Sequence, residues 1–208
     1  MLRASHRQTP RQPDTAMTVD FGTAVPEERP AASTTARFWI IVGVVVGLDV
    51  LTKGLAVAYL TPRHIPHSVV GDVLRFTLAY NPGAAFGMHV GPASRWVFAA
   101  LSMTIVVVLL RVTADLTKHS AVAALGVPIV IGGALGNLLD RIRYREGVVD
   151  FIDIGVGDVR FWTFNVADIA VTVGAACLIA ALWKQDREER EQEREGAMAR
   201  HHDQQSGA

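Results

Sequence analysis

Two short segments of the sequence combine carboxyl and amide side chains at the ends of apolar stretches. Residues 136–141 read Gly-Asn-Leu-Leu-Asp-Arg, and residues 164–168 read Phe-Asn-Val-Ala-Asp. Their polar members are Asn137, Asp140, Arg141, Asn165 and Asp168. If Asp140 and Asp168 meet where the dielectric is low, they cannot both ionise, so one is protonated and the other charged at neutral pH. Such a pair suits peptide hydrolysis by an activated water.

In that chemistry, the charged carboxylate takes a proton from the attacking water. The neutral carboxyl donates to the scissile carbonyl oxygen and later to the leaving amine. Neither a metal nor a covalent intermediate is needed. A simpler structural interpretation also exists, in which Asp140 pairs with Arg141 and Asp168 caps a helix.

The hydropathy of the chain predicts the elements that position these residues. Hydrophobic residues make up 50% of the 208 positions and concentrate in four blocks, whereas most charges lie in the tails and loops. The blocks cover residues 38–60, 96–112, 120–139 and 164–183. A helix crosses a bilayer with about 20 apolar residues, so the sequence predicts four transmembrane helices. The third span ends and the fourth begins on one membrane face, which brings Asp140 and Asp168 to similar depth.

The first block is predicted to remain in the membrane and not to be a cleaved signal peptide, because its length suffices for a span. Residues 1–37 lack a sustained apolar period, which predicts a disordered cytoplasmic extension. Residues 38–184 then form the membrane domain, and residues 185–208 form a charged cytoplasmic tail. Four spans place both termini on one side. Lys and Arg are almost equally frequent on the two sides, so charge does not decide which side is cytoplasmic.

The loops on the side opposite the termini contain strand patterns. Residues 73–80 alternate between apolar and polar side chains and are followed by an Asn-Pro-Gly turn at residues 81–83. Residues 148–154 and 159–164 flank a glycine-containing turn and are predicted to form a hairpin. The predicted fold class is therefore a membrane α-helical protein with four transmembrane helices and a small extramembrane β-sheet.

Asp49 and Lys53 are four positions apart in the first span and share one helix face. A charge at the bilayer centre costs about 2.5 to 3.5 kcal/mol on insertion scales, so the pair is predicted to face the bundle or a wet cavity. It either forms a simple neutralising ion pair or supports a neighbouring functional loop.

Composition excludes several classes of function. The formal net charge is zero, which gives no basis for nucleic-acid binding. The single cysteine, Cys177, allows neither a disulfide framework nor a multi-cysteine metal site. The histidines show no ligand spacing on a common helix face. We therefore expect no metal and no cofactor.

Five motifs occur in order along the chain. They are Asp-Val-Leu-Thr-Lys at 49–53, Asn-Pro-Gly-Ala-Ala-Phe-Gly at 81–87, Gly-Asn-Leu-Leu-Asp-Arg at 136–141, Val-Val-Asp-Phe at 148–151 and Phe-Asn-Val-Ala-Asp at 164–168. Together they closely resemble the motifs of lipoprotein signal peptidases, also called signal peptidase II. The resemblance covers residues 38–184 and leaves both tails outside it.

The resemblance implies a multi-pass enzyme of the bacterial plasma membrane, with cytoplasmic termini and an active site near the outer face. It implies that Asp140 and Asp168 form the catalytic dyad. The residues implied to orient the dyad or line the site are Asn137, Arg141, Asn165, Asp49, Lys53 and Asn81. The implied partners are membrane lipids and prolipoprotein signal peptides, cut before a lipobox cysteine that carries a diacylglyceryl group. We expect a monomer.

Two other classes of protein remain as alternatives. A small ion or proton-coupled carrier would use the intramembrane carboxylates and Lys53 as a relay, but a relay needs polar groups through both halves of the bilayer. Three of the spans are nearly featureless toward the terminal side, and broken helices in an inverted repeat are not evident. A non-catalytic scaffold would instead use the aspartates as helix caps.

Overall fold

The structure, a computed structural model, describes residues 32–83, 91–118 and 120–206. The helices are α1 (Ala32–Tyr59), α2 (Ser94–Thr117), α3 (Ala121–Arg143) and α4 (Val166–Ser206), with a short 3-10 helix at Gly91–Ala93 before α2. The strands are β1 (His67–Val70), β2 (Leu74–Asn81), β3 (Val148–Val156) and β4 (Val159–Arg160). The predicted disordered extension falls mostly on residues 1–31, which lie outside the described residues.

All four α-helices are long and apolar enough to cross a membrane, as the sequence predicts. They extend past the predicted apolar blocks, most of all in α4, which continues to Ser206. This last part of α4 is polar, and ion pairs between residues one helical turn apart, such as Lys184 with Glu188, stabilise it. Hydropathy identifies the part of a helix that meets lipid, whereas the helix itself can run on into water.

Helix α3 is the central helix and packs against α1, α2 and α4. In the most apolar 18-residue part of α3, 61% of the residues are buried, against 22% or less in each of the other spans. The buried apolar core at this helix consists of Val127, Ile131 and Ala134 of α3 together with Val42 of α1 and Val106 of α2. A Cβ on Gly133 would lie 2.5 Å from the carbonyl oxygen of Ala167. Glycine at this position therefore allows the start of α4 to approach α3 closely.

The four strands form one antiparallel sheet in the order β1-β2-β3-β4. This confirms the predicted fold class. The turn predicted at residues 81–83 begins one residue late, since Asn81 is the last residue of β2 and pairs with Val148. Strand β4 has two residues, but the chain stays beside β3, because Phe161 N–H donates to the Ile154 carbonyl at 2.8 Å.

The ends of α3 and β2 and the starts of β3 and α4 lie close together beside the helix bundle. Strand β3 begins a few residues after α3 ends, and the chain turns at Gly147, whose φ is 106°. A Cβ on Gly147 would collide with the carbonyl of Asn81 at the end of β2, so the turn requires glycine. The segment after β4 then leads into α4. This convergence brings the motif residues together.

Candidate active site

Lys53 is the buried centre of a polar cluster in the bundle, with only 2% of its surface exposed. Its Nζ lies 2.7 Å from Asp49 Oδ2 and 3.0 Å from Asp140 Oδ2. It also donates to Asn137 Oδ1 at 2.9 Å. A buried charge is tolerated when it is paired and hydrogen-bonded. Lys53 therefore joins α1 to α3 through Asn137 and Asp140, and it pairs with Asp49 within α1.

Asp49 connects the same cluster to α4. Its Oδ1 accepts a hydrogen bond from the backbone N–H of Ala167, in the first turn of α4, at 2.9 Å. A carboxylate at this end of a helix satisfies an unpaired N–H and interacts favourably with the helix dipole. Gly136 leaves the necessary space, since a Cβ there would lie 2.5 Å from Asp49 Oδ2.

Gly136→Ala is expected to destabilise the protein by about 1 to 3 kcal/mol and to lower activity, because the added methyl group displaces the Asp49 carboxylate. Thermal unfolding in detergent measures the first effect. Gly54→Ala in α1 is the matched control, because a Cβ there meets nothing within 4 Å. Equal stability of the two variants would contradict the close approach of Asp49 to Gly136.

Two asparagines orient the carboxylate of Asp168. Asn137 uses its Oδ1 to accept from Lys53 and from Asn165 Nδ2, the latter at 3.1 Å, so its Nδ2 is free to donate to Asp168 Oδ1 at 2.7 Å. The backbone N–H of Asn165 donates to Asp168 Oδ2 at 3.2 Å, and Asn165 Oδ1 accepts from the backbone N–H of Asp168 at 2.9 Å. This reciprocal pair is a capping box at the start of α4. The direction of the Asp168 carboxylate is thus fixed by donors to both of its oxygens.

A second carboxyl, that of Asp150 in β3, is also hydrogen-bonded to Asn165. It is buried, with 3% of its surface exposed, and accepts from Asn165 Nδ2 at 2.6 Å and from the Asn81 side chain. Burial, together with the negative charge of Asp168, raises the pKa of Asp150 to about 7. A substantial fraction of Asp150 therefore holds a proton at neutral pH.

Asp140, which the sequence predicts as the partner of Asp168, contacts the same cluster from the end of α3. Its Oδ2 accepts from the backbone N–H of Val149 at 3.0 Å and faces Lys53. These contacts fix the start of β3 against the end of α3, beside Asp150. Asp150 thus shares Asn165 with Asp168, whereas the side-chain contacts of Asp140 are with Val149 and Lys53.

The two remaining predicted residues lie at the edge of this cluster. Arg141 donates from Nη1 to the Asn137 carbonyl at 3.0 Å, and its guanidinium carbon lies 5.7 Å from the ring centroid of Phe98. The charge of Arg141 interacts with Asp168, Asp150 and Asp140. Asn81 accepts from the backbone N–H of Gly83 at 2.9 Å through Oδ1, in addition to its contact with Asp150. All eight residues predicted from the sequence thus belong to one connected region.

Asp150 was not among the site residues predicted from the sequence, although its motif carries a signal. Asp150 lies in the run Val-Val-Asp-Phe at 148–151, in which every residue is buried. A carboxyl in such a run is costly unless it has partners, so its presence favours a functional role. The predicted carboxylates all lie in the spans or at their ends, whereas Asp150 lies on a strand.

Comparison with known proteins gives a consistent result. The family model described as signal peptidase (SPase) II matches residues 41–184. The lipoprotein signal peptidase of Rhodococcus jostii (strain RHA1) is 40% identical over 147 residues, covering 68% of this chain and 69% of the relative. That of Halothermothrix orenii is 38% identical over 151 residues, covering 72% of this chain and 97% of the relative.

A solved structure described as a bacterial membrane enzyme, at 2.3 Å resolution, has a similar fold. It matches with a TM-score of 0.64 and 29% identity, covering 73% of this chain and 90% of the other. The family model, which extends from residue 41 to residue 184, includes the residues of the polar cluster. The chain belongs to the signal peptidase II family, and it is an aspartic peptidase with four helices that can span a membrane.

Proposed function

We propose that this protein removes signal peptides from prolipoproteins whose lipobox cysteine carries a diacylglyceryl group, and that it cuts immediately before that cysteine. Family membership and the names of the relatives support the substrate class. The membrane setting supports the lipid requirement. Burying two acyl chains in the bilayer would hold the scissile bond at a constant depth, so that much of the positioning comes from the membrane.

We further propose that Asp150 and Asp168 form the catalytic dyad. This proposal rests mainly on the contacts of Asn165. Its side chain donates to Asp150, and its backbone N–H donates to Asp168. Asp168 receives two N–H donors and serves as the charged base that takes a proton from water. Asp150, with its raised pKa, serves as the acid that donates its proton to the carbonyl oxygen. When the tetrahedral intermediate breaks down, Asp168 passes the proton taken from water to the leaving amine, and Asp150 recovers a proton from the hydroxyl that becomes the new carbonyl.

In this proposal Asp140, the dyad member expected from the sequence, is a positioning residue. It holds the backbone of Val149, the residue before Asp150, and its charge is balanced by Lys53. Asp49 and Lys53 fix the start of α4, and Asn137 fixes the direction of the Asp168 carboxylate. Arg141 and Asn81 would contact the substrate backbone near the pair.

The proposed setting is the bacterial plasma membrane, with cytoplasmic termini, the dyad near the outer face, and a monomer as the active unit. The family resemblance supports this orientation. The alternative of an ion carrier is not favoured by the family match or by the relatives, which are named lipoprotein signal peptidases. Within the described part of the chain, the buried charged residues of the spans cluster at the end nearest the sheet, so they do not form a relay across the bilayer.

Cleavage of a diacylglyceryl-modified prolipoprotein by the purified protein in detergent tests the proposed function. We expect a product that begins with the lipidated cysteine, identified by mass spectrometry. The same precursor without its diacylglyceryl group is the control and should be cut far more slowly. Equal cleavage of both precursors would contradict the lipid requirement, and cleavage of neither would contradict the proposed substrate.

The pH dependence of cleavage should reflect the protonation of Asp150. Because Asp150 acts as the acid, activity is present below its pKa and is lost as the pH rises through about 7. The hydrogen bond from Asn81 lowers this pKa, so Asn81→Ala should move the alkaline limb of kcat/KM to higher pH. Profiles of the parent and the variant, with folding checked at each pH, measure the shift. An unchanged limb would show that Asp150 does not supply the proton.

A further inference from the structure

The outer edge of the β3–β4 hairpin exposes a group of large apolar side chains. We call this group the hairpin edge, and it consists of Val156, Val159, Phe161 and Trp162. Their exposed fractions are 66%, 85%, 61% and 61%. Apolar surface of this kind on a chain usually marks a binding surface or contact with lipid.

The hairpin edge is held in a defined conformation. Val156 pairs with Val159 across the turn, and the Phe161 N–H donates to the Ile154 carbonyl at 2.8 Å. The turn is also tied to the neighbouring β1–β2 turn, where Asp72 accepts from the backbone N–H of Gly157. The exposed side chains are therefore presented by a fixed backbone.

Side-chain directions along this edge are the reverse of those expected for a strand facing water. The charged residue Arg160 is turned inward, with 17% of its side chain exposed, and its Nε donates to Asp153 Oδ1 at 2.6 Å. Its apolar neighbours Val159 and Phe161 are turned outward. Water-facing strand edges normally place polar or charged side chains outward. An outward apolar row is instead the arrangement of a surface in contact with hydrocarbon.

The hairpin edge is also continuous with a surface that faces lipid. Trp162 lies shortly before Val166, where the spanning helix α4 begins, and α4 exposes Ile169 and Val173 in its first turns. Tryptophan is enriched where a protein crosses the boundary between membrane and water. The exposed apolar residues thus run from the hairpin into a transmembrane span.

We propose that the hairpin edge inserts into the interface of the lipid bilayer, in the leaflet on the side of the candidate active site. The partner is the membrane itself, at the level of the headgroups and the upper acyl chains. Because the edge is hydrogen-bonded to β3, insertion would hold β3 and its residue Asp150 at a fixed distance from the bilayer. The proposal depends on the spanning helices and not on the proposed substrate.

Spin labelling at a single cysteine tests this proposal in the full chain. Cys177 is the only cysteine, so Cys177→Ala gives a background in which Val159→Cys can be labelled alone. Ser68→Cys, at an exposed position of β1 on the opposite edge of the sheet, is the matched control. The proteins are reconstituted in vesicles of phosphatidylethanolamine and phosphatidylglycerol. Access of each label to oxygen, which partitions into lipid, is compared with access to a water-soluble nickel chelate.

The proposal predicts an oxygen-to-nickel access ratio several-fold higher for the label at position 159 than for the label at position 68. Equal ratios, with the label at 159 open to nickel, would overturn it and assign the hairpin edge to the aqueous phase. Strong dipolar coupling between labels at 159, persisting on dilution with lipid, would also overturn it and indicate a second copy as the partner. Thermal unfolding of both labelled proteins in detergent confirms that each is folded.

Discussion

Asp168→Asn is expected to slow signal-peptide cleavage by about 10³- to 10⁴-fold while the protein still inserts and folds. Asparagine keeps the shape of the side chain and can accept from Asn137 Nδ2, the donor that lies 2.7 Å from Asp168 Oδ1. It cannot accept a proton from water. Single-turnover cleavage in detergent, with thermal unfolding measured alongside, separates the chemical effect from a folding effect.

The same substitution at Asp186, in the exposed part of α4, is the matched control. Asp186 pairs with Arg190 at 2.9 Å, and its side chain is 52% exposed, so Asp186→Asn should leave cleavage unchanged. If Asp168→Asn protein cleaves like the parent, Asp168 serves only the capping box with Asn165, and the acid–base mechanism is incorrect.

Lys53→Met is expected to destabilise the protein by about 3 to 5 kcal/mol, because it leaves Asp49 and Asp140 buried without a countercharge. Activity should fall further than stability alone explains. Asn137 loses the donor that orients its amide, and its Nδ2 would no longer be directed at Asp168. The unfolding midpoint and the cleavage rate below that midpoint measure the two effects separately.

Lys184→Met provides the control for this prediction. The Lys184 side chain is 76% exposed and lies 3.6 Å from Glu188, so its loss should change stability by less than about 0.5 kcal/mol. Recovery of stability when Asp49→Asn is combined with Lys53→Met would support the charge argument. A Lys53→Met protein with the parent's midpoint and rate would refute the central role of Lys53.

The spans and the position of the site could be predicted from the sequence because bilayer thickness imposes a strong length constraint on apolar segments. Asp49 and Lys53 were expected on one helix face, and the structure places their charged atoms 2.7 Å apart. The convergence of the ends of α3 and α4 also follows from antiparallel spans. These features depend on local periodicity and on the membrane, both of which are readable from one sequence.

The proposed second carboxyl, Asp150, could not be derived in this way. Its position depends on the register of β2 with β3, which pairs Asn81 with Val148 and includes an irregularity between Phe76 and Ala79. Register is set by long-range pairing and by the Gly147 turn, not by a local pattern. An argument from depth in the membrane therefore selected Asp140, which lies at a helix end, and omitted Asp150 on the strand.

The length of α4 could not be predicted from hydropathy either. Residues beyond the apolar block have low mean hydropathy, yet the helix continues through charged pairs four positions apart, such as Arg190 with Asp186. Such pairs stabilise a helix by a few tenths of a kcal/mol each, which is sufficient in combination. The predicted boundary therefore identified where lipid contact ends and not where the helix ends.

The most direct test of the proposed dyad is to compare Asp150→Asn with Asp140→Asn in one cleavage assay on the diacylglyceryl-modified precursor, with unfolding midpoints measured for both. We predict that Asp150→Asn protein is folded and cleaves at least about 10³-fold more slowly than the parent. Asp140→Asn protein should keep measurable activity, because an amide oxygen can still accept from Val149 and Lys53. Loss of cleavage in a folded Asp140→Asn protein, with activity retained in Asp150→Asn, would contradict the assignment and restore Asp140 as the partner of Asp168.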